Sequence, residues 1–281
     1  MSSPRTVAVI GLGMIGGSVA RGLAARGVTV IGHDKNAAYL DAAVAEGVVA
    51  QRLLPTLEDI DRADIAVIAV YGDSATRVLE QIAAHAGTIG LVTDVGSTKR
   101  PIVAAAEASV IAERFVGSHP FAGDHRSGWT ASRFDLFENE VVYLCPSSNA
   151  SRTALDLAQE LWTSLGAKTV RMDASEHDDL LAWTSHSPHA VSTALALALS
   201  EAGIVHRQLG RGGRDVTRLA ASSPDVWTSI MLDNAPAVEA ALSAVESQVR
   251  SFRSLLSARD GEKIWERLSR ARDWSGPGST G

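Results

Sequence analysis

Several short stretches of this chain put chemically capable residues at spacings that a purely structural role does not readily explain. The first is Gly11-Leu12-Gly13-Met14-Ile15-Gly16, which follows the apolar run VAVI and precedes Asp34, 23 positions after Gly11. At a strand-turn-helix junction Gly11 permits the tight turn, Gly13 lets backbone amides approach a pyrophosphate, and Gly16 lets helix and strand pack closely. Met14 and Ile15 then open a helix whose N-terminal N–H groups and dipole favour phosphate. Asp34 can accept hydrogen bonds from ribose hydroxyls and would repel a 2′-phosphate, so NAD is the expected cofactor; Lys35 beside it keeps NADP open. An ordinary glycine-rich turn would account for the glycines but not for Asp34.

Two further groups of residues could carry the reaction. Asp94-Val95-Gly96-Ser97-Thr98-Lys99 follows one predicted strand and Gly117-Ser118-His119-Pro120 follows another. Ligands of open α/β sheets bind beyond the carboxyl ends of strands, which would lean Ser97 and His119 over the nicotinamide crevice, close enough to touch. A neutral imidazole there can take the proton from an alcohol as hydride leaves its carbon, with Ser97 orienting the ring. The structural alternative is a satisfied histidine before a proline turn. The other group joins Ser185-His186-Ser187-Pro188-His189 to Arg214-Asp215-Val216-Thr217-Arg218. His186 and His189, three apart, share a helix face, a spacing that also suits a metal. No third ligand is cued, so no metal is expected. Arg218 offers a planar fork for a carboxylate, with Asp215 on the same face to fix nearby partners; a surface ion pair is the plainer reading.

The elements that must position these residues follow from periodicity. Through the first third, β-branched runs (TVAVI, VTVIG, IAVIAV) alternate with alanine-rich helical stretches, a βαβα pattern. Further strands are expected at IGLVTDV, RFVGS, VVYLC and KTVRM, with a helix from Ser151 to Leu165. Beyond Asp173 strand signals end. The fold class expected is therefore α/β, an N-terminal Rossmann domain (residues 1–170) followed by an all-helical dimerisation domain (171–281). Asp173 and Glu176 form a capping box for the first helix of that domain, and Pro188 inside it predicts a kink beside His186 and His189. Val238, Leu242, Val245, Val249, Phe252 and Leu256 alternate spacings of four and three, an apolar seam that is either an internal core stripe or a homodimer interface. The tail from Ser275 to Gly281 is expected to fray.

Composition bounds the partners. Apolar residues make up 46% and charged residues 21%, and the formal charge of −6 gives no basic stripe to displace counterions, so no nucleic acid is expected. Cys145 is the lone cysteine, and the first residues lack a signal peptide's apolar core, so a cytoplasmic location is expected. Charged residues interrupt every apolar run short of the ~18 residues a membrane span needs.

Taken together, GLGMIGGS, DVGSTK, GSHPFAG, EHD at residues 176–178, SHSPH and GGRDVTRLAASSPDVW resemble, in order and spacing, the prephenate and arogenate dehydrogenases of tyrosine biosynthesis, over residues 5 to about 255. The first motif is common to many dehydrogenases; the combination is specific. The resemblance implies that NAD takes hydride from the ring carbon bearing the hydroxyl while the ring carboxylate leaves as carbon dioxide and the ring becomes aromatic. It implies His119 as acceptor for the ring hydroxyl and Ser97 steadying His119 and the nicotinamide. Arg218 would bind a substrate carboxylate, His189 with His186 would line the pocket, and Asp215 and Trp227 would support it. Three positions depart from the pattern. His125 stands where many relatives carry an acid able to pair with the amino group of arogenate, which tilts the choice towards prephenate. Tyr71-Gly72 and Gly213 replace a proline with a small residue and an aromatic, leaving open a related cyclohexadienol such as 4-amino-4-deoxyprephenate. A β-hydroxyacid dehydrogenase shares the layout but would show a catalytic lysine where this chain has histidines, and a non-catalytic NAD-binding regulator predicts a damaged constellation.

Overall fold

β1 (Thr6–Ile10) is buried along almost its whole length because it runs through the middle of a parallel sheet covered on both faces. Its alternate residues serve opposite cores: Val7 and Val9 face one apolar cluster, Ala8 and Ile10 the other. The structure, a computed structural model, describes residues 5–123 and 126–276; His125 lies outside them. From β1 the chain passes through α1 (Met14–Ala24), β2 (Thr29–His33), α2 (Ala37–Ala45) and β3 (Gln51–Arg52), a two-residue strand that periodicity does not signal. β4 (Ile65–Ile68), α3 (Asp73–His85), β5 (Leu91–Asp94) and α4 (Arg100–Glu107) complete a five-stranded parallel sheet in the order β3-β2-β1-β4-β5. The strand order reverses between β1 and β4, the place where such sheets hold their ligands.

β6 (Val116–Pro120), β7 (Val141–Pro146), α5 (Arg152–Ser164) and β8 (Lys168–Arg171) add a second sheet, β6-β7-β8, with β6 antiparallel to β7 and β7 parallel to β8. A single parallel bridge from Val92 to Phe115 joins β5 to the approach of β6. Behind β6, Trp162 of α5 donates its indole N–H to Ser118 Oγ at 2.9 Å and meets Phe137 edge-on, which fixes the face from which Ser118 points.

The remaining described elements are helical. α6 (Ala174–Leu181) begins on the expected capping box: Asp173 Oδ1 accepts from the backbone N–H of Ser175 (2.6 Å) and Glu176 (3.4 Å), and Glu176 Oε2 accepts from Asp173 N–H (3.4 Å). A π-helical turn (Ala182–His186) separates it from α7 (Ser187–Glu201), which carries Pro188 in its first turn. The irregularity expected beside His186 is this widened turn, since proline cannot donate to the preceding carbonyls. α8 (Arg211–Thr217), α9 (Pro224–Asp233), α10 (Ala235–Ala258) and α11 (Gly261–Ser275) follow. The apolar seam on α10 divides: Val238 is buried against the domain, whereas Val249 and Leu256 are 63% and 57% exposed. Trp265, Leu268 and Trp274 of α11 are exposed too. Among the described residues, no helix is long and apolar enough to cross a membrane.

Because Asp173 holds the first turn of α6, Asp173→Ala is expected to cost about 1 kcal/mol of folding stability. Urea denaturation measures it; an unchanged midpoint would show that packing alone sets the start of this helix.

Candidate active site

The glycine loop between β1 and α1 lies hard against the end of β4. A Cβ on Gly11, whose φ is +99°, would stand 2.3 Å from the Ala69 carbonyl oxygen, and one on Gly16 would stand 2.0 Å from the Gly11 carbonyl oxygen. Gly13 is different: no atom lies within 4 Å of the place its Cβ would take, so that side of the loop is open. Met14 and Ile15 begin α1 with neither a side-chain cap nor an acidic residue in the first turn, so no side chain competes for its leading N–H groups. Asp34, just past β2, accepts from Leu12 N–H (2.5 Å) and Asn36 N–H (2.7 Å), which ties the acid to the loop. An open glycine, uncapped N–H groups and an adjacent carboxylate fit a dinucleotide's pyrophosphate and ribose. Gly123 closes the far side, its Cβ position 2.8 Å from Met14 Cε.

Beside this cradle, the ends of β5 and β6 are locked together by a buried ion pair. Lys99, fully buried, reaches the Asp94 carboxylate and donates to the Ser118 carbonyl oxygen at 2.8 Å. Asp94 Oδ1 in turn accepts from Ser118 N–H at 3.2 Å, while Ser118 and Thr93 share a hydroxyl hydrogen bond of 2.7 Å. With Ser118 committed to the core, strand alternation sends the next side chain, His119, to the opposite face.

There His119 Nδ1 lies 2.9 Å from His177 Nε2, and His177 Nδ1 lies 2.7 Å from Asp178 Oδ1. His177 and Asp178 are fully buried and His119 is 7% exposed. Burial, then the neighbouring His177, Lys99 and His186, push the His119 pKa well below the ordinary imidazole value, so the ring is neutral. Asp178 also accepts from the backbone N–H of Lys99 (2.8 Å) and Arg100 (2.9 Å) at the start of α4. Burial works to raise its pKa, but the bonds from His177 and those N–H groups outweigh it and hold the carboxylate below its usual range. Asn234, buried at the junction of α9 and α10, donates to the Asp178 carbonyl (2.7 Å), lies 3.1 Å from His186 Nδ1 and accepts from the Arg100 guanidinium (2.8 Å).

The other residues singled out in the sequence fall around this core. His189 stacks on Trp227 with ring centroids 3.6 Å apart, and His186 meets the same indole edge-on at 6.1 Å. Nε2 of His189 and Oγ of Ser192 are buried without a hydrogen-bond partner. Arg218 and Asp215 are exposed and form no ion pair with each other among the described residues. Ser97 corrects an expectation: half-buried at the end of β5, it makes no hydrogen bond to His119, whose ring is held by His177 instead. The sequence reading assigned no part to His177, Asp178, Lys99 or Asn234. The available signal was polarity on a buried face, since His177 and Asp178 share the interior side of α6 with Ala174 and Leu181. Among the described residues, no group of three or more His, Cys, Asp or Glu is arranged to hold a metal ion.

Comparison with known proteins matches residues 19–171 to the family profile "Prephenate dehydrogenase, nucleotide-binding domain" and residues 173–270 to "Prephenate dehydrogenase, dimerization domain". The chain is 32% identical to prephenate dehydrogenase of Bacillus subtilis, covering 96% of this chain and 75% of that one. It is 30% identical to cyclohexadienyl dehydrogenase of Zymomonas mobilis, covering 95% and 93%. Among solved structures it is similar to prephenate dehydrogenase from A. aeolicus in complex with hydroxyphenyl propionate and NAD+, at 28% identity and a TM-score of 0.88 over 96% of this chain and 97% of that one.

His186 is held neutral, chiefly by burial, with its pKa pushed down to about 4. The unfolded chain, titrating near ~6.5, binds more protons between those values, so this contribution to stability is full above pH ~6.5 and is lost as pH falls towards 4. The thermal midpoint is expected to drop across that window and to drop less in His186→Gln; equal slopes for the two proteins would remove His186 as the cause.

Proposed function

Because this chain belongs to the prephenate dehydrogenase family, it is an NAD(P)-dependent oxidoreductase, and we propose that it oxidatively decarboxylates prephenate or arogenate with NAD as the acceptor. The observation that carries this reading is His119, a buried imidazole held neutral by burial, whose Nδ1 is occupied by His177. His119 Nε2 polarises the ring hydroxyl and takes its proton as the C–H bond on the same carbon breaks. The bound nicotinamide supplies the hydride acceptor. The electron pair of the bond to the ring carboxylate then enters the ring, carbon dioxide leaves, and the phenolic oxygen recovers the proton from His119. Aromatisation drives the step forward.

The remaining roles are proposed on the same footing. Gly11, Gly13, Met14, Ile15 and Gly16 cradle the pyrophosphate, and Asp34 accepts from the ribose. Arg218, an exposed guanidinium, takes a substrate carboxylate with Asp215 beside it. His186, His189 and Trp227 wall the ring pocket, and Ser97 approaches the nicotinamide. His125 supplies no acid for an amino group, which favours prephenate over arogenate. The exposed apolar residues of α10 and α11 favour a homodimer through the helical domain (171–281), beyond the dinucleotide domain (1–170). A cytoplasmic location goes with the single buried free thiol, Cys145. Since both halves match one family, the β-hydroxyacid alternative has no support of its own.

NADH formation should follow addition of prephenate and NAD. His119→Asn should lower turnover by roughly two to four decades with NAD affinity nearly unchanged, and an unimpaired variant would sink the acceptor role. Arg218→Ala should chiefly raise KM; a change confined to kcat would speak against carboxylate binding. Light scattering at micromolar concentration should return the mass of two chains, and a monomer would remove the dimer.

A further inference from the structure

We propose that His177 is a positioning residue for His119, fixing its tautomer through Asp178 and sharing the charge that His119 acquires. The proposal deepens the reading of His119 as proton acceptor and rests on it for its catalytic meaning. The geometry is a chain of three buried side chains: Asp178 Oδ1 to His177 Nδ1 at 2.7 Å, and His177 Nε2 to His119 Nδ1 at 2.9 Å.

Proton placement follows from one end. Asp178 is ionised, because it accepts from two backbone N–H groups of α4 that a protonated carboxyl could not satisfy as well. An ionised carboxylate only accepts, so His177 carries its proton on Nδ1. With Nδ1–H of His177 given to Asp178 and its Nε2 bare, the 2.9 Å contact places the proton between the rings on His119 Nδ1. His119 is left with an unprotonated Nε2, the form that can accept from a hydroxyl. Without His177, a free imidazole divides between two tautomers, and one of them puts N–H where a lone pair is needed. The Lys99 ammonium donates to Asp94 and to the Ser118 carbonyl and cannot accept from Nδ1.

When Nε2 takes the hydroxyl proton, the new positive charge lies one hydrogen bond from His177 and two from the Asp178 carboxylate. No proton has to reach Asp178: its charge and the polarised His177 stabilise the imidazolium in place. When the proton returns to the phenolic oxygen, the chain reverts to its starting arrangement, so atoms and charge balance over the cycle. Asp178 cannot act on His119 directly, because its oxygens are occupied by His177 and α4; His177 is the link.

The test combines spectroscopy and kinetics on the full chain. In the ligand-free protein, 15N NMR of the imidazoles, assigned through His119→Asn, should show His119 protonated at Nδ1 and bare at Nε2, and His177 protonated at Nδ1. The opposite His119 tautomer overturns the proposal whether or not prephenate is the substrate. His177→Phe keeps the volume and removes both hydrogen bonds; it should lower kcat roughly 100-fold, leave the NAD Kd within about twofold and mix the His119 tautomers. His177→Gln, whose amide can accept from His119 Nδ1 and donate to Asp178, should restore roughly tenfold of that loss and the single tautomer. An unchanged kcat in folded His177→Phe overturns the proposal. Should that variant fail to fold, the wild-type tautomer and the Gln variant decide alone. A wild type that ignores prephenate and arogenate, or an active His119→Asn, would instead defeat the underlying reading and leave the tautomer measurement standing.

Discussion

The Asp178 carboxylate is the constraint around which the two domains are arranged. It is fully buried, and a buried charge left unpaired costs about 3–5 kcal/mol, so its partners cannot be given up singly. Those partners come from both sides: the N–H groups of Lys99 and Arg100 belong to the dinucleotide-binding half, and His177 to the helical half. Lys99 then carries the constraint onward. Its backbone fixes Asp178, while its side chain fixes Asp94 and the Ser118 carbonyl, the residue before His119. One residue thereby sets α6 against α4 and β6 against β5, and the position of His119 is the result.

The same cluster explains why histidine suits this place. Near His119, Lys99 is paired with Asp94, and the Asp178 carboxylate lies beyond His177. The imidazoles of His119 and His186 are kept neutral by burial, so the resting site carries little net positive charge in its interior. On the proposed reading, a proton arriving on His119 is disfavoured by burial and by Lys99 and favoured by the Asp178 carboxylate beyond His177. A lysine in that position would have to be desolvated as a cation and held against Lys99. Arg218, by contrast, is exposed at the start of a 3₁₀ turn, where its guanidinium is solvated.

What the sequence made legible was local. Gly11 and Gly16 were readable because each answers a backbone demand within one βαβ unit, and the structure shows the near-contacts that exclude a Cβ; Asp34 was read for a ribose, and its bond from Leu12 N–H was not foreseen. Asp173 and Pro188 were readable because caps and proline act within one turn of their own positions. β3 was not, being only Gln51 and Arg52, exposed and paired on one edge. The expected Ser97–His119 contact failed for a physical reason: proximity beyond strand ends does not say which nitrogen of a ring is already taken. That nitrogen is occupied by a residue 58 positions away, on a helix of the other domain. His177 and Asp178 gave only a polar interruption on the inner face of α6, and such an interruption has no direction until the helix is docked.

The joint also bears on how ligands reach the site. Besides the bonds to Asp178, Thr98 donates to Asp233 at 3.0 Å, Arg100 binds Asn234, and Gly72 lies so close to α9 that a Cβ there would stand 2.3 Å from Ser229 Oγ. Swinging the domains apart as rigid bodies would break these together and expose an unpaired carboxylate, so the joint behaves as one cooperative unit. On the proposed role of His119, passage to it belongs to elements outside the joint. α8 and the 3₁₀ turn after it fit that description: they are mostly exposed, Arg214, Asp215 and Arg218 lie on them, and none of the joint's hydrogen bonds comes from them. On the proposed roles, charge selection falls to the exposed rim and proton handling to the interior that Asp178 holds in place.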